Sequence, residues 1–178
     1  MENYVVRMGI FQKKNSVTVS EFCNYWHYNH GAIASKMANL LKYDQNHSVM
    51  PLHFDLAQKE LNYWVDGYSK LWFEDAQAQN SNDQETIDKL RRDEEHLFEK
   101  EVLVVAEEHI TIAMDPEAGF VKMMMFLQRS PKLSAEEFKE AWLNNSAELL
   151  KKLPGVIGCR QNWVFDRVIV DTKDEYKR

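Results

Sequence analysis

Shifted by 116 residues, the chain matches itself: Val5, Met8, Gln12, Glu21, Phe22, Trp26, Asn29, Lys36, Gln45 and Asn46 recur as Val121, Met124, Gln128, Glu137, Phe138, Trp142, Asn145, Lys152, Gln161 and Asn162. The register runs without a gap from Tyr4–His47 to Phe120–Trp163, which is too long for chance. Two related stretches must begin with the same local structure. Each starts with a short apolar run that predicts a strand, Tyr4–Phe11 and Phe120–Leu127. A loop follows, then a helix opened by the S/T-x-x-E spacing of a capping box, Thr18 with Glu21 and Ser134 with Glu137.

The first stretch continues further than the second. Leu40–Val49 reads as a second strand, Met50–Glu60 as an irregular connection, and Leu61–Phe73 as an aromatic-rich strand with a bend or bulge at Gly67. Asn82–Lys100 has helical spacing, with Ile87, Leu90, Leu97 and Phe98 toward the core and its charges on a solvated face. Val102–Ile112 is apolar and β-branched, as a paired strand requires. The order is βαββαβ, an α+β, ferredoxin-like pattern with two helices on one face of an antiparallel sheet. Residues 1–114 form this complete unit, 115–119 the Pro- and Gly-containing linker, and 120–178 a partial second unit without counterparts of the second helix and last strand.

Composition narrows the function classes. A chain of 178 residues with 44% hydrophobic side chains can bury a real core. Its net charge of -6 and pI near 5.5 disfavour nonspecific binding to nucleic acid or to an anionic membrane surface. The N-terminal apolar run is too short for a signal peptide, and no later run approaches a membrane span. Cys23 and Cys159 make one possible pair, with no CxxC. Free thiols and a cytoplasmic location are the expectation.

The helix that opens at Thr18 carries the chemistry. On a helical wheel Phe22, Trp26, Ile33 and Met37 form one apolar arc, and His30 lies just beyond its edge. Such a histidine is either a core imidazole satisfied by a carbonyl or the working group of a pocket between helix and sheet. His27, His30, His47 and His53 with Asp55 lack the spacing of a metal site, and no GxGxxG or haem-attachment pattern is present, so neither metal nor cofactor is expected.

The segments SEFCNYWHYNH, LLKYDQNHSV, VDGYSKLWFED and EEHLFEKEVLVVAEEH resemble the EthD-like family of dimeric α+β barrels over the whole first unit. Relatives include a methylmuconolactone methylisomerase and polyketide cyclases. The resemblance implies a ligand pocket between the helix pair and the sheet, and it puts His30 and Tyr43 at the positions of the isomerase's histidine and tyrosine. At the position of that enzyme's cysteine stands Leu71. A neutral imidazole can take a proton from carbon beside a carbonyl, and a phenol can hydrogen-bond the developing oxyanion. His30 would be the base, Tyr43 the oxyanion partner and His47 a second acid. Trp26, Asn46, Trp64, Tyr68 and Trp72 would contact substrate. Each has a plainer reading: Tyr43 as packing, Trp26 and Asn46 as framework because both recur 116 residues on, and the strand aromatics as barrel core.

Two classes of function stay open. One is a cofactor-independent isomerase, cyclase or dehydratase acting on an aromatic-derived, polyketide-like or lactone substrate. The other is a non-catalytic ligand-binding or accessory protein of an oxidative degradation pathway, a group sometimes labelled oxidoreductase. At the positions of His30, Tyr43 and His47 the second stretch has Ser146, Cys159 and Trp163, so the first unit alone would own the site. Unpaired edges in the shorter unit predict a homodimer that covers them.

Overall fold

A computed structural model describes residues 4–48, 65–114, 117, 119–171 and 174–177, the stretches 168–171 and 174–177 by backbone alone. Two compact units emerge: Met1–Glu107 with Val164–Arg178, and Glu108–Trp163.

In the first unit, β1 is Val5–Lys13, β2 Lys42–His47, β3 Gly67–Phe73 and β4 Phe98–Ile112, the last running on into the second unit. Adding β5 (Cys159–Asp171) and β6 (Asp174–Lys177), the strand order is β2-β3-β1-β4-β5-β6. The order of the first four, with β1 paired antiparallel to both β3 and β4, is that of a ferredoxin-like α+β fold. Between β1 and β2 lie α1 (Val19–Tyr25), a π-helical turn (Trp26–His30) and α2 (Gly31–Ala34). Between β3 and β4 lies α3 (Gln84–Leu97).

The capping box at the start of α1 is present. Thr18 Oγ1 accepts from the Glu21 backbone N–H at 3.2 Å, and Glu21 Oε2 accepts from the Thr18 N–H at 2.9 Å. Asp83 caps α3 by accepting from the Thr86 N–H at 2.6 Å. The predicted helix over Asn82–Lys100 ends early, at Leu97, because Phe98 is already extended and starts β4. Its ring stacks on Phe11 with centroids 4.0 Å apart, which draws the residue into the sheet. Of the predicted strand Leu61–Phe73 the structure describes a strand over Gly67–Phe73. The readings of Val49–Glu60 and Leu61–Trp64, and of His53, Asp55 and Trp64 within them, lie outside the described residues.

Strand register decides which side chains face the helices. Tyr43, Leu71, Arg7 and Val105 stand side by side across the sheet, as do Gln45, Ser69, Gly9 and Leu103, and then His47, Gly67, Phe11 and Glu101. Two apolar clusters close over these rows. Phe11, Phe22, Trp26, Leu97 and Phe98 form one, and Ala34, Met37, Leu71, Phe73 and Leu90 the other.

The second unit, Glu108–Trp163, holds α4 (Ala135–Glu140), a π-helical turn (Ala141–Ser146) and α5 (Ala147–Leu150). Ser134 and Glu137 form the expected capping box. Gln161 Nε2 donates to the Trp142 carbonyl at 2.6 Å, and in the first unit Gln45 Nε2 donates to the Trp26 carbonyl at 2.7 Å. One prediction is corrected: Phe120–Leu127 forms no strand. Strand β1 has a ladder on each side, whereas among the described residues of the second unit no strand pairs with this run. Its side chains stay open, with Val121 85% and Met123 63% exposed.

Gly67 is neither a bulge nor a turn but a close approach. A Cβ there would lie 2.5 Å from Trp26 Cζ3 and 3.1 Å from the Asn46 carbonyl oxygen. Trp26 is wholly buried and cannot swing away. We expect Gly67→Ala to cost about 1–3 kcal/mol by overpacking, a loss of several degrees in Tm. Gly119→Ala, where a Cβ meets nothing within 4 Å, should leave Tm unchanged; equal Tm values for the two variants would contradict the account.

Candidate functional site

The π-helical turn positions the histidine. The Gly31 N–H reaches back to the Trp26 carbonyl, five residues away, and Gln45 Nε2 donates to the same oxygen. The extra residue in the turn rotates the rest of the helix, and His30 moves from the rim of the predicted arc into the interior, 4% exposed. Its Nδ1 lies 2.7 Å from Asp93 Oδ2, and Tyr25 donates its hydroxyl to Asp93 Oδ1, also at 2.7 Å. With Asp93 ionised, Nδ1 carries the proton and Nε2 keeps the free lone pair. Burial pushes the Asp93 carboxyl up, but hydrogen bonds from His30 and Tyr25 outweigh it and hold the carboxyl below its ordinary value. The Tyr25 phenol is pushed up to about 12, first by its bond to Asp93.

His30 lines a cavity of about 20 Å³ between the helices and the sheet, enough for a single water. Tyr43, Arg7, Ser69, Glu94 and Glu101 supply the rest of its polar lining. Burial raises the Tyr43 phenol to about 12, and Gln45 Nε2 donates to its oxygen at 2.8 Å. It therefore stays a neutral phenol, able to donate. A larger and more open groove of about 340 Å³ runs along Asn39, Leu41 and Glu74–Ser81. Its lining contains no histidine or tyrosine, so His30 and Tyr43 meet at the smaller space.

Of the residues expected at the site, this cavity brings together His30 and Tyr43. His47 lies against Trp26, ring centroids 4.6 Å apart, with Nδ1 buried and unpaired; burial, then His27, lowers its tendency to charge. Trp26 belongs to the aromatic core. Asn46 Nδ2 donates to the Tyr68 carbonyl at 3.2 Å, bonding β2 to β3. Tyr68 and Trp72 alternate with Ser69 and Leu71 and so face away from the cavity; the Trp72 ring carries Lys42 Nζ at 4.4 Å and Lys70 Nζ at 5.0 Å.

Five polar residues here were not foreseen: Arg7, Ser69, Asp93, Glu94 and Glu101. Asp93 was legible. It falls three residues after Leu90 and four before Leu97, on the apolar stripe of α3 and not on its solvated face. Glu101 follows Glu99 and Lys100 and falls between the predicted helix Asn82–Lys100 and the predicted strand Val102–Ile112, so no pattern marks it as inward-facing.

Among the described residues no helix is long and apolar enough to cross a membrane, and both cysteines are free thiols. No curated protein matches the chain. Residues 14–101, just under half of the 178, match the family model of the EthD domain. That span holds His30, Tyr43, Ser69, Asp93, Glu94 and Glu101, and over it the chain is similar to the EthD-like family.

Proposed function

We propose that this chain is a cofactor-independent enzyme that moves a proton on an aromatic-derived, polyketide-like or lactone substrate. The observation that carries this reading is the buried His30–Asp93 pair, 2.7 Å apart, at a cavity that Tyr43 also lines. Asp93 orients the imidazole and stabilises the imidazolium formed when Nε2 takes a proton from carbon beside a carbonyl. The Tyr43 phenol donates to the oxygen on which charge develops. The reaction type is isomerisation, cyclisation or dehydration.

The second reading is a non-catalytic ligand-binding or accessory protein, and the volume of the cavity constrains both readings alike. At about 20 Å³ the space admits a substrate only if a side chain yields. Met37, which lines it, is the pliable one.

Deuterium uptake at the α-carbon of 2-tetralone, an enolisable aromatic ketone, separates the two. His30→Ala should lower the exchange rate by about 10²-fold or more with an unchanged circular dichroism spectrum. Tyr43→Phe should lower it by about 10-fold or more. Exchange at the wild-type rate in His30→Ala removes the base and leaves the binding protein.

Asp93 also makes a pH prediction. Its lowered carboxyl gives stability that is complete well above pH 3.8, its unperturbed value, and is lost as pH falls through the depressed one. Asp93→Asn should unfold at lower temperature near neutral pH yet lose less of its remaining stability on acidification. Parallel Tm-against-pH curves for the two proteins would speak against the pair.

The matching stretches further suggest a tandem arrangement, 1–114 and 120–178 joined by 115–119, acting as a homodimer. Supporting the dimer is the exposed apolar run Phe120–Leu127, with Met125 58% and Leu127 56% exposed. Light scattering at low micromolar concentration should give about twice the 21.0 kDa chain mass; one chain mass would exclude the dimer.

A further inference from the structure

The proton-transfer reading leaves three charged residues of the cavity unused, Arg7, Glu94 and Glu101. Glu101, on β4 opposite Phe11, is 3% exposed and lines the cavity. Arg7, on β1 beside Leu71, has a buried Nε without an acceptor, and its Nη2 meets the Met37 thioether at 3.5 Å. Glu94 adjoins Asp93 on α3.

Charge balance restricts what these groups can be. Burial pushes Glu101 well above the usual carboxylate range, the Glu94 carboxyl adds to this, and Arg7 opposes it. Glu94 is likewise raised by burial, against the pull of His30 and Arg7. One guanidinium compensates one carboxylate. A second ionised carboxyl would stand buried and uncompensated, so the pair retains a proton.

We propose that Glu101 is the proton donor of this site, a neutral carboxylic acid that protonates the carbonyl oxygen of the substrate whose α-proton His30 removes. This rests on His30 as base. The C–H electron pair becomes the C=C bond as Nε2 takes the proton. The carbonyl π pair moves onto oxygen and bonds the proton of Glu101, leaving its carboxylate beside Arg7 and an imidazolium beside Asp93. The enol then collapses: its O–H proton returns to Glu101, and the imidazolium reprotonates carbon, at the original or a conjugated position. Protons and charge balance with no outside reactant. A carboxylic acid kept neutral by an apolar site is suited to such an oxygen, and Tyr43 supplies a second donor.

The substrate class is restricted by the same charges. Glu94 and Glu101 line the cavity with Arg7 and His30, and Asp93 stands behind His30, so with one proton on the glutamate pair a carboxylate substrate would add a third negative charge. A neutral ketone or lactone fits.

The test uses the full chain. With ¹³C-carboxyl glutamate, the signal missing from Glu101→Gln should sit at the protonated position at pH 7 in the wild type. An ionised Glu101 overturns the proposal, including the case where Glu94 holds the proton. In the 2-tetralone exchange, Glu101→Gln keeps a donor but has no proton to give. Its kcat should fall about 10²-fold with KM held, and the alkaline decline of the wild-type rate should vanish. Stability provides a readout without substrate. A carboxyl that stays protonated only when folded gives stability present below pH 4.5 and lost as pH rises toward its folded value. Wild-type Tm should therefore decline over that range more steeply than that of Glu101→Gln. Loss of exchange in His30→Ala with an unaltered kcat and alkaline limb in Glu101→Gln refutes this proposal alone, whereas retained exchange in His30→Ala refutes the base on which it rests.

Discussion

The carbonyl of Trp26 is the point on which the first unit turns. It accepts from Gln45 Nε2 on β2 and from the Gly31 N–H five residues on. The first bond ties helix to sheet, and the second holds the helix in a π turn. Both depend on the indole being fixed, and it is fixed on every side: edge-on to Phe11 at 5.4 Å, tilted on Phe22 at 5.4 Å and on His47 at 4.6 Å, with Gly67 leaving space beneath. A regular helix would satisfy the backbone equally well. The π turn has a different consequence, because it carries His30 over Asp93 and the cavity. π turns are rare and favour functional positions, and here the reason is mechanical.

What the histidine can do is then set by low polarity. In water an Asp–His bond contributes little, and a carboxyl beside an arginine simply ionises. Inside this cavity each charge must be matched. Asp93 is matched twice, by His30 and Tyr25, and stays ionised. Glu94 and Glu101 share one guanidinium, and burial raises both carboxyls, which favours a proton on the pair at rest. Neighbouring carboxyls are pushed apart in character by their partners, Asp93 toward the ionised form and Glu101 toward the protonated one. That separation is what acid–base chemistry near neutral pH requires.

How much of this was legible depends on the kind of signal each residue leaves. The capping boxes at Thr18 and Ser134 are local, and they appear where the spacing put them. Alternation in β1 and the βαββ order were readable for the same reason. The boundary at Phe98 was not, because a stacking partner 87 residues earlier, Phe11, decides it. The inward turn of His30 was also hidden, since a wheel drawn at a constant angle contains no π turn. Glu101 was invisible for a deeper reason: a carboxyl in a strand reads as an exposed alternate residue until the register shows that it faces Phe11 and the helices. Phe120–Leu127 misled in the opposite direction. Its residues are as strand-like as those of β1, but a strand exists only as half of a ladder.

The second unit shows that the framework and the chemistry are separable. Gln161 bonds the Trp142 carbonyl as Gln45 bonds that of Trp26, beside a π turn over Ala141–Ser146. The glutamine bond and the π turn both recur, although the Ala147 N–H, at the place of Gly31, donates to the Asn144 carbonyl and not to that of Trp142. Where the first unit has His30, however, the second has Ser146, and where it has Tyr43 the second has Cys159. Trp163 takes the place of His47 and joins Phe138 and Trp142 in an aromatic group with centroids 5.9 to 6.4 Å apart. If the π turn existed only to aim a base, nothing would hold it in a unit that lacks one. Its presence there argues that the glutamine-to-carbonyl bond is first a way of fastening a helix to a strand, and that in the first unit His30 and Asp93 meet on a turn the fold already required.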